Sequence, residues 1–233
     1  MKPSNHDEIN PPEDMHSEYE WRKPDHSLSY LARADKLPHR TEGERVLLDL
    51  VPLDAARILD LGTGDGRLLA LLRIERPTFE GVAVDFSKTM LDATRKRFAR
   101  DGRIKVVEHD LNQPLPSSLG QFQAVVSSFA IHHLPHERKR ELCREVYGHL
   151  TAGGIFCNLE HVASPTFNLH SKFLSAIGFT PETEDKSNKL LDVETQLTWL
   201  REIGFDDVDC YWKWLELALL VGVKRPGVDD RFF

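Results

Sequence analysis

The chain has 233 residues and a formal net charge of −7. The length suffices for one α/β domain with a sizeable core, and the acidic balance argues against a broad surface for nucleic acid or another polyanion. Cys143, Cys157 and Cys210 lack C-x-x-C spacing, which speaks against a disulfide frame or a zinc site. No apolar stretch has membrane-spanning length and no apolar signal core opens the chain, so a soluble, cytoplasmic protein without a membrane partner is expected.

Residues 1–25 are rich in Pro, Asn, His and acids, and a mobile tail is expected there. Over 26–40, the run Ser27–Leu37 brings Leu28, Tyr30, Leu31 and Ala34 to roughly helical spacing, predicting a short helix laid against the domain that follows. Thr41-Glu42-Gly43-Glu44 reads as a capping box that opens a helix to about Leu50.

The stretch from Arg57 to Leu72 organises the rest. A short apolar run ends in the acid Asp60; Gly62, Gly64 and Gly66 then alternate with Thr63 and Asp65, and an apolar-periodic run follows. The pattern predicts a buried strand, a tight turn and a helix. Glycines there permit positive φ and close approach of a ligand, and the helix start turns its free N–H groups to the same place. The spacing is G-x-G-x-G rather than the G-x-G-x-x-G of dinucleotide sites. Asp60 would serve a pyrophosphate poorly and a cationic amine well.

Pro77 breaks the chain before a second strand over 79–85. Its closing Asp85 stands about twenty residues beyond the loop, where an acid can accept both hydroxyls of a ribose. Ser87 is an N-cap for a helix with Met90, Leu91 and Phe98 on its buried side, ended by Asp101-Gly102. A third strand over 104–110 ends in Asp110, followed by Leu111.

With these motifs the chain resembles the class I S-adenosylmethionine-dependent methyltransferases, from about Thr41 to Lys224. The resemblance implies S-adenosyl-L-methionine as cofactor and S-adenosyl-L-homocysteine as product. It implies a Rossmann-like, doubly wound α/β sheet of seven strands, mostly parallel with an antiparallel last strand, in one methyltransferase domain over 26–233 whose residues 26–40 cover the site. It also implies roles. Asp60 would hold the methionine end of the cofactor over Gly62, Thr63, Gly64 and Gly66; Asp85 would take the ribose, with Phe86 flanking the adenine; Asp110 and Leu111 would face the adenine amine. Arg40 would reach the cofactor carboxylate or remain a solvated surface arginine.

Pro114 and Pro116 mark a loop before the fourth strand, 122–128; a helix follows from about His136 to Leu150. Thr151–Gly154 reads as a turn into strand five, 155–160, and the alternation of strands and helices predicts right-handed crossovers. Residues 205–212 and 215–223 lie too close for a crossover helix and should pair antiparallel. Between them and strand five, the insertion 164–190 has an apolar helical part (Phe167, Leu169, Phe173, Leu174, Ile177) and a polar remainder. It emerges at the carboxyl ends of the strands, where open α/β sheets bind ligands, and is the expected lid.

The chemistry is expected after strand four. The resemblance implies that Ser127 and Ser128 contact the amino end of the cofactor and that the residues beyond them face the substrate. Methyl transfer is an in-line displacement, so the enzyme has to position the nucleophile and remove its proton. Histidine is the natural base near neutral pH. His132 and His133 stand at this point and Glu160 ends the adjacent strand, an arrangement resembling that of certain natural-product sugar O-methyltransferases. A metal at His132, His133, Glu160 and His161 is not expected, because adjacent histidines do not easily both point inward. The reading is methyl transfer to a small molecule at oxygen or nitrogen, with no nucleic-acid partner and with oligomeric state open, a homodimer included. The alternatives are a non-catalytic cofactor-binding partner or regulator, and an RNA or protein methyltransferase.

Overall fold

The computed structural model describes residues 37–225, so the tail over 1–25 and the cover helix up to residue 36 lie outside the described residues. The described elements are α1 (Arg40–Leu50), β1 (Arg57–Leu61), α2 (Arg67–Glu75), β2 (Glu80–Asp85), α3 (Lys88–Arg97), β3 (Ile104–Glu108), β4 (Phe122–Ser128), α4 (His136–His149), β5 (Leu150–His161), α5 (Phe167–Ile177), α6 (Val193–Ile203), β6 (Phe205–Trp214) and β7 (Leu217–Lys224). Short 3-10 turns lie at Ser117–Leu119 and Ile131–His133.

One seven-stranded sheet runs in the order β3-β2-β1-β4-β5-β7-β6. β1, β2, β3, β4 and β5 are mutually parallel, and β7 runs antiparallel between β5 and β6. The strand order reverses at β1, which pairs with β2 on one side and β4 on the other; Leu61 lies opposite both Val84 and Ser127. A crevice at such a switch point is where open α/β sheets take ligands.

Near-continuous burial along the central strands supplies two core layers, one on each face of the sheet. Leu47, Leu69, Leu72, Ala83, Val126, Leu159 and Phe173 fill the layer under α1, α2 and α5. Leu61, Val84, Val125, Leu142, Val146 and Leu200 fill the layer under α4 and α6. Gly43 in mid-α1 has a steric reason: a Cβ there would stand 2.8 Å from Leu159 and from Trp212, so the helix could not lie this close to the sheet. No described helix is long and apolar enough to cross a membrane.

The structure corrects three local expectations. The capping box does not form: α1 starts at Arg40, its N-cap is His39 at φ 61°, and the Glu44 side chain turns to Arg40 and Arg67 instead of back to the chain start. Thr151–Gly154 is not a turn ahead of β5 but an irregular stretch within it: Phe122 pairs with Leu150, the register shifts, and Ala124 then pairs with Ile155. Finally, α6 was not foreseen. Its signals are in the chain: Asp192 accepts from the Thr195 N–H at 2.8 Å as N-cap, and Gly204 ends it at φ 110°.

Candidate active site

The glycine loop bridges β1 and α2. Gly62 adopts φ 68°, and a Cβ on it would fall 2.2 Å from that of Ala130, so the loop lies hard against the exit of β4. Gly64, at φ 57°, has no atom within 4 Å of the position a Cβ would take, which leaves open space directly over the loop. The Thr63 N–H donates to the Val84 carbonyl at 2.9 Å and ties the loop to β2.

Two acids face this loop. Asp60 is 1% exposed and accepts from Thr63 Oγ1 at 2.7 Å; burial pushes its carboxyl up to about 7. Asp85 accepts from Gly64 N–H through Oδ2 and from Ser87 N–H through Oδ1, both at 2.9 Å, and burial also raises it. Two buried carboxyls held above their usual range form an environment that favours a cation or a polyhydroxyl ligand. Phe86 is half-buried next to Asp85.

Asp110 lies two residues beyond β3, its Oδ1 accepting from the Asn112 N–H at 2.9 Å and from Asn112 Nδ2 at 3.1 Å. Leu111 is buried, and its carbonyl accepts from Arg138 Nε at 2.7 Å. Arg138 also bonds Glu145 at 2.6 Å, and Glu145 takes the Leu115 N–H at 3.0 Å. This brace from α4 fixes the loop after β3 and has no sequence signature of its own.

On the other side, Arg40 is buried, with Nε donating to Glu44 Oε1 at 2.8 Å and its guanidinium 5.4 Å from the Phe129 ring. Arg67 forks onto the same carboxylate at 2.9 Å through Nε and Nη2. Two guanidinium groups thus share one buried acid beside the loop. Ser127 is fully buried and donates its hydroxyl to the Leu61 carbonyl at 2.8 Å, locking β4 to β1. The Ser128 hydroxyl is buried without a partner among the described residues. Phe129 follows at φ 53°, its N–H donating to the Leu159 carbonyl at 2.8 Å. A non-glycine residue at positive φ marks a strained exit from the strand.

The 3-10 turn after that exit delivers the histidine pair. His132 is 6% exposed, and its Nδ1 lies 2.6 Å from Oε1 of Glu160. Glu160 is 1% exposed and also accepts the His161 N–H at 2.9 Å. Burial raises the Glu160 carboxyl to about 7 and holds the His132 imidazole well below its usual range, so His132 is neutral near pH 7. With Nδ1 engaged by the acid, Nε2 is the nitrogen left to take a proton. His133 stacks at 4.0 Å between ring centroids and places Nδ1 2.9 Å from Ser187 Oγ; burial lowers it as well. The Lys189 N–H donates to the His132 carbonyl at 2.9 Å, so the second half of the 164–190 insertion runs against both histidines.

Sequence reasoning did not single out the polar cluster beneath α5. Glu216, fully buried at the β6–β7 turn, lies 2.9 Å from His161 Nε2 and 2.9 Å from His170 Nδ1, and His170 Nε2 reaches Glu184 at 3.2 Å. The clue was an acid flanked by Leu215 and Leu217 in an apolar stretch. Among the described residues no group of three His, Cys, Asp or Glu side chains is set to hold a metal ion.

A family model described as a methyltransferase domain matches residues 58–154, from β1 into β5. A demethylmenaquinone methyltransferase of Clavibacter sepedonicus is 30% identical over 177 residues, 69% of this chain and 69% of that protein. A carboxy-S-adenosyl-L-methionine synthase of Desulforapulum autotrophicum is 29% identical over 192 residues, 73% of this chain and 76% of that protein. An O-methyltransferase family protein from Burkholderia thailandensis shares the fold at TM-score 0.69 and 19% identity, over 91% of this chain and 62% of that one. The chain belongs to the class I S-adenosylmethionine-dependent methyltransferases and is an enzyme of that family, with S-adenosylmethionine as its cofactor.

Proposed function

We propose that the enzyme methylates a hydroxyl of a small molecule, with His132 as general base and Glu160 as the acid that orients it. The observation that carries this reading is the 2.6 Å contact between His132 Nδ1 and Glu160 Oε1, buried at the carboxyl ends of β4 and β5.

The residues present fit the cofactor. Buried Asp60 suits the ammonium of its methionine part, Asp85 suits two ribose hydroxyls, and the open space over Gly64 admits a ligand against the backbone. Asp110, Leu111 and Phe86 would bound the adenine; Gly62, Thr63, Gly66, Ser127 and Ser128 would shape the floor. Arg40 would complete the methionine end as part of its pair with Glu44. When bound, S-adenosylmethionine supplies a methyl group on a sulfonium, an electrophile that requires an in-line nucleophile.

The chain's own task is then proximity and proton removal. His132 Nε2 takes the hydroxyl proton as the oxygen attacks, and the Glu160 carboxylate stabilises the imidazolium formed. His133, held by Ser187, would line the acceptor side. Residues 164–190 would act as the lid, with Ser187 and Lys189 already bonded to the histidine turn.

The test is transfer of labelled methyl to the acceptor, with S-adenosylhomocysteine formed alongside, across a panel of phenols, hydroxy acids and sugars, with the parent and His132→Ala. Hydroxyl-dependent turnover that falls in His132→Ala supports the reading. A second reading is favoured by the similarity to the carboxy-S-adenosyl-L-methionine synthase: a product that is a modified cofactor rather than a methylated acceptor. Mass spectrometry of the nucleoside product separates the two.

A further inference from the structure

Lys139 is 3% exposed, on the stripe of α4 that also buries Leu142 and Val146. A buried ammonium is costly unless it is bonded and neutralised. Its Nζ donates to the carbonyl of Lys189, whose own N–H donates to the carbonyl of His132 at 2.9 Å. One residue of the insertion therefore connects the lysine to the backbone of the histidine turn. From the sheet side, Lys139 and Asn158 line a cavity of about 10 Å³, far too small for a substrate, and Asn158 Nδ2 approaches Glu160 Oε2 at 3.5 Å. Lys139 is thus linked to His132 through Lys189 and to Glu160 through Asn158, which shares its cavity.

We propose that Lys139 is a positioning residue for that pair: its ammonium, anchored on Lys189, holds Glu160 as the carboxylate that engages Nδ1 of His132 and keeps Nε2 unprotonated. This rests on the reading of His132 as base. The charged and titratable groups facing the pair are His133 from the same turn, His161 from β5, Lys139 and Cys143 from α4, and Asp185 from the insertion. Burial dominates both members. Beyond it, Lys139 lowers Glu160, and His161 followed by Lys139 lowers His132; both effects of the lysine favour a carboxylate beside a neutral imidazole. Asp185 acts on His132 in the opposite sense. Burial brings Lys139 itself down to about 8, against the pull of Glu160, so it remains charged at neutral pH. A lysine that only tethered the insertion to α4 would need its hydrogen bond and not its charge.

The two roles separate by substitution. Lys139→Gln and Lys139→Met are neutral, the second close to lysine in length and suited to a buried site should the first fail to fold; Lys139→Arg keeps the charge. The readout is the titration of the His132 imidazole in histidine-labelled protein by NMR, without substrate, its signal identified by loss in His132→Asn. The expected result is uptake of the proton at a pH higher by roughly one unit in the neutral variants, and parent behaviour in Lys139→Arg. The same titration in parent and neutral variants, or none in either, overturns the inference and leaves His132 as base untouched. A shifted titration with full turnover in His132→Ala overturns the base and leaves the hold of Lys139 on the pair standing.

Discussion

Oδ2 of Asp85 accepts the N–H of Gly64 at 2.9 Å, so the acid at the end of β2 and the middle of the glycine loop are one unit. The carboxylate is held by the loop it is proposed to help fill. Asp85→Ala should weaken S-adenosylhomocysteine binding about ten- to a hundredfold or more, each charge-assisted bond lost being worth roughly 1.5–3 kcal/mol. Calorimetry with equal affinity in parent and variant would remove Asp85 from the cofactor site.

Asp60 gives a pH-dependent prediction. Burial raises its carboxyl from 3.8 to about 7, so the folded apoenzyme binds a proton there that the unfolded chain has lost. The contribution of Asp60 to stability therefore falls as pH rises from about 4 to 7. A cationic ammonium binds the ionised form, so cofactor affinity should rise with pH through that upper value. Asp60→Asn should flatten the affinity profile and raise the melting temperature at pH 8. Parallel profiles in parent and Asn variant would contradict the assignment.

The glycines of the loop should separate into two kinds. Gly62→Ala drives a Cβ to 2.2 Å from that of Ala130 at φ 68° and should prevent a stable fold. Gly64→Ala meets no neighbour within 4 Å and adds only the left-handed backbone strain, roughly 1–2 kcal/mol. It should fold and yet lose cofactor affinity, because the methyl enters the space over the loop. Circular dichroism and calorimetry on the two variants check this; normal affinity in Gly64→Ala would move the cofactor elsewhere.

Glu216 anchors α5 through His170. Burial works against the charge of each and is outweighed by their partners: Glu216 and Glu184 hold His170 above its usual range, and hydrogen bonds from His161, Ser164 and His170 hold Glu216 below its own. The histidine's contribution is complete below its unfolded value near 6.5 and is lost as pH rises through its folded value; the acid's is present above about 4.5 and is lost as pH falls through its folded value. Hydrogen exchange in α5, corrected for intrinsic rate, should accordingly show less protection at pH 8.5 than at pH 6. Glu216→Leu should cost roughly 3–5 kcal/mol by taking the buried carboxylate from His161 and His170 and reduce the pH dependence to the part that Glu184 sustains on His170. Equal protection at both pH values in the parent would exclude the latch.

The strand–turn–helix at the glycine loop and the antiparallel closing pair were legible because apolar runs, loop glycines and short connections are local patterns, whereas the strand order is a tertiary property. Asp60 and Asp85 lie at the ends of β1 and β2 as the pattern suggested, whereas β3 stops at Glu108 and leaves Asp110 in the loop beyond it. The failures were of two physical kinds. The capping box at Thr41 lost to tertiary pairing, since Arg40 and Arg67, the latter 23 residues away from Glu44, compete for its carboxylate. The helix over 193–203 was missed although Asp192, Leu197, Leu200 and Gly204 mark its cap, buried face and stop. Lys139 reads as a solvated helix charge until its place three residues before Leu142 and seven before Val146 is noted. The partners of Glu216, His161 and His170, precede it by 55 and 46 residues, a separation that no window on the sequence spans.

The central claim is that His132, set by Glu160, takes the proton of a hydroxyl acceptor. The most direct measurement is kcat against pH for parent, His132→Ala and Glu160→Gln on a hydroxyl substrate, with S-adenosylhomocysteine affinity measured alongside. The account predicts that His132→Ala lowers turnover by roughly 10²- to 10⁴-fold, that Glu160→Gln lowers it less, and that both bind S-adenosylhomocysteine as the parent does. Turnover in His132→Ala equal to that of the parent, across the pH range, would contradict it.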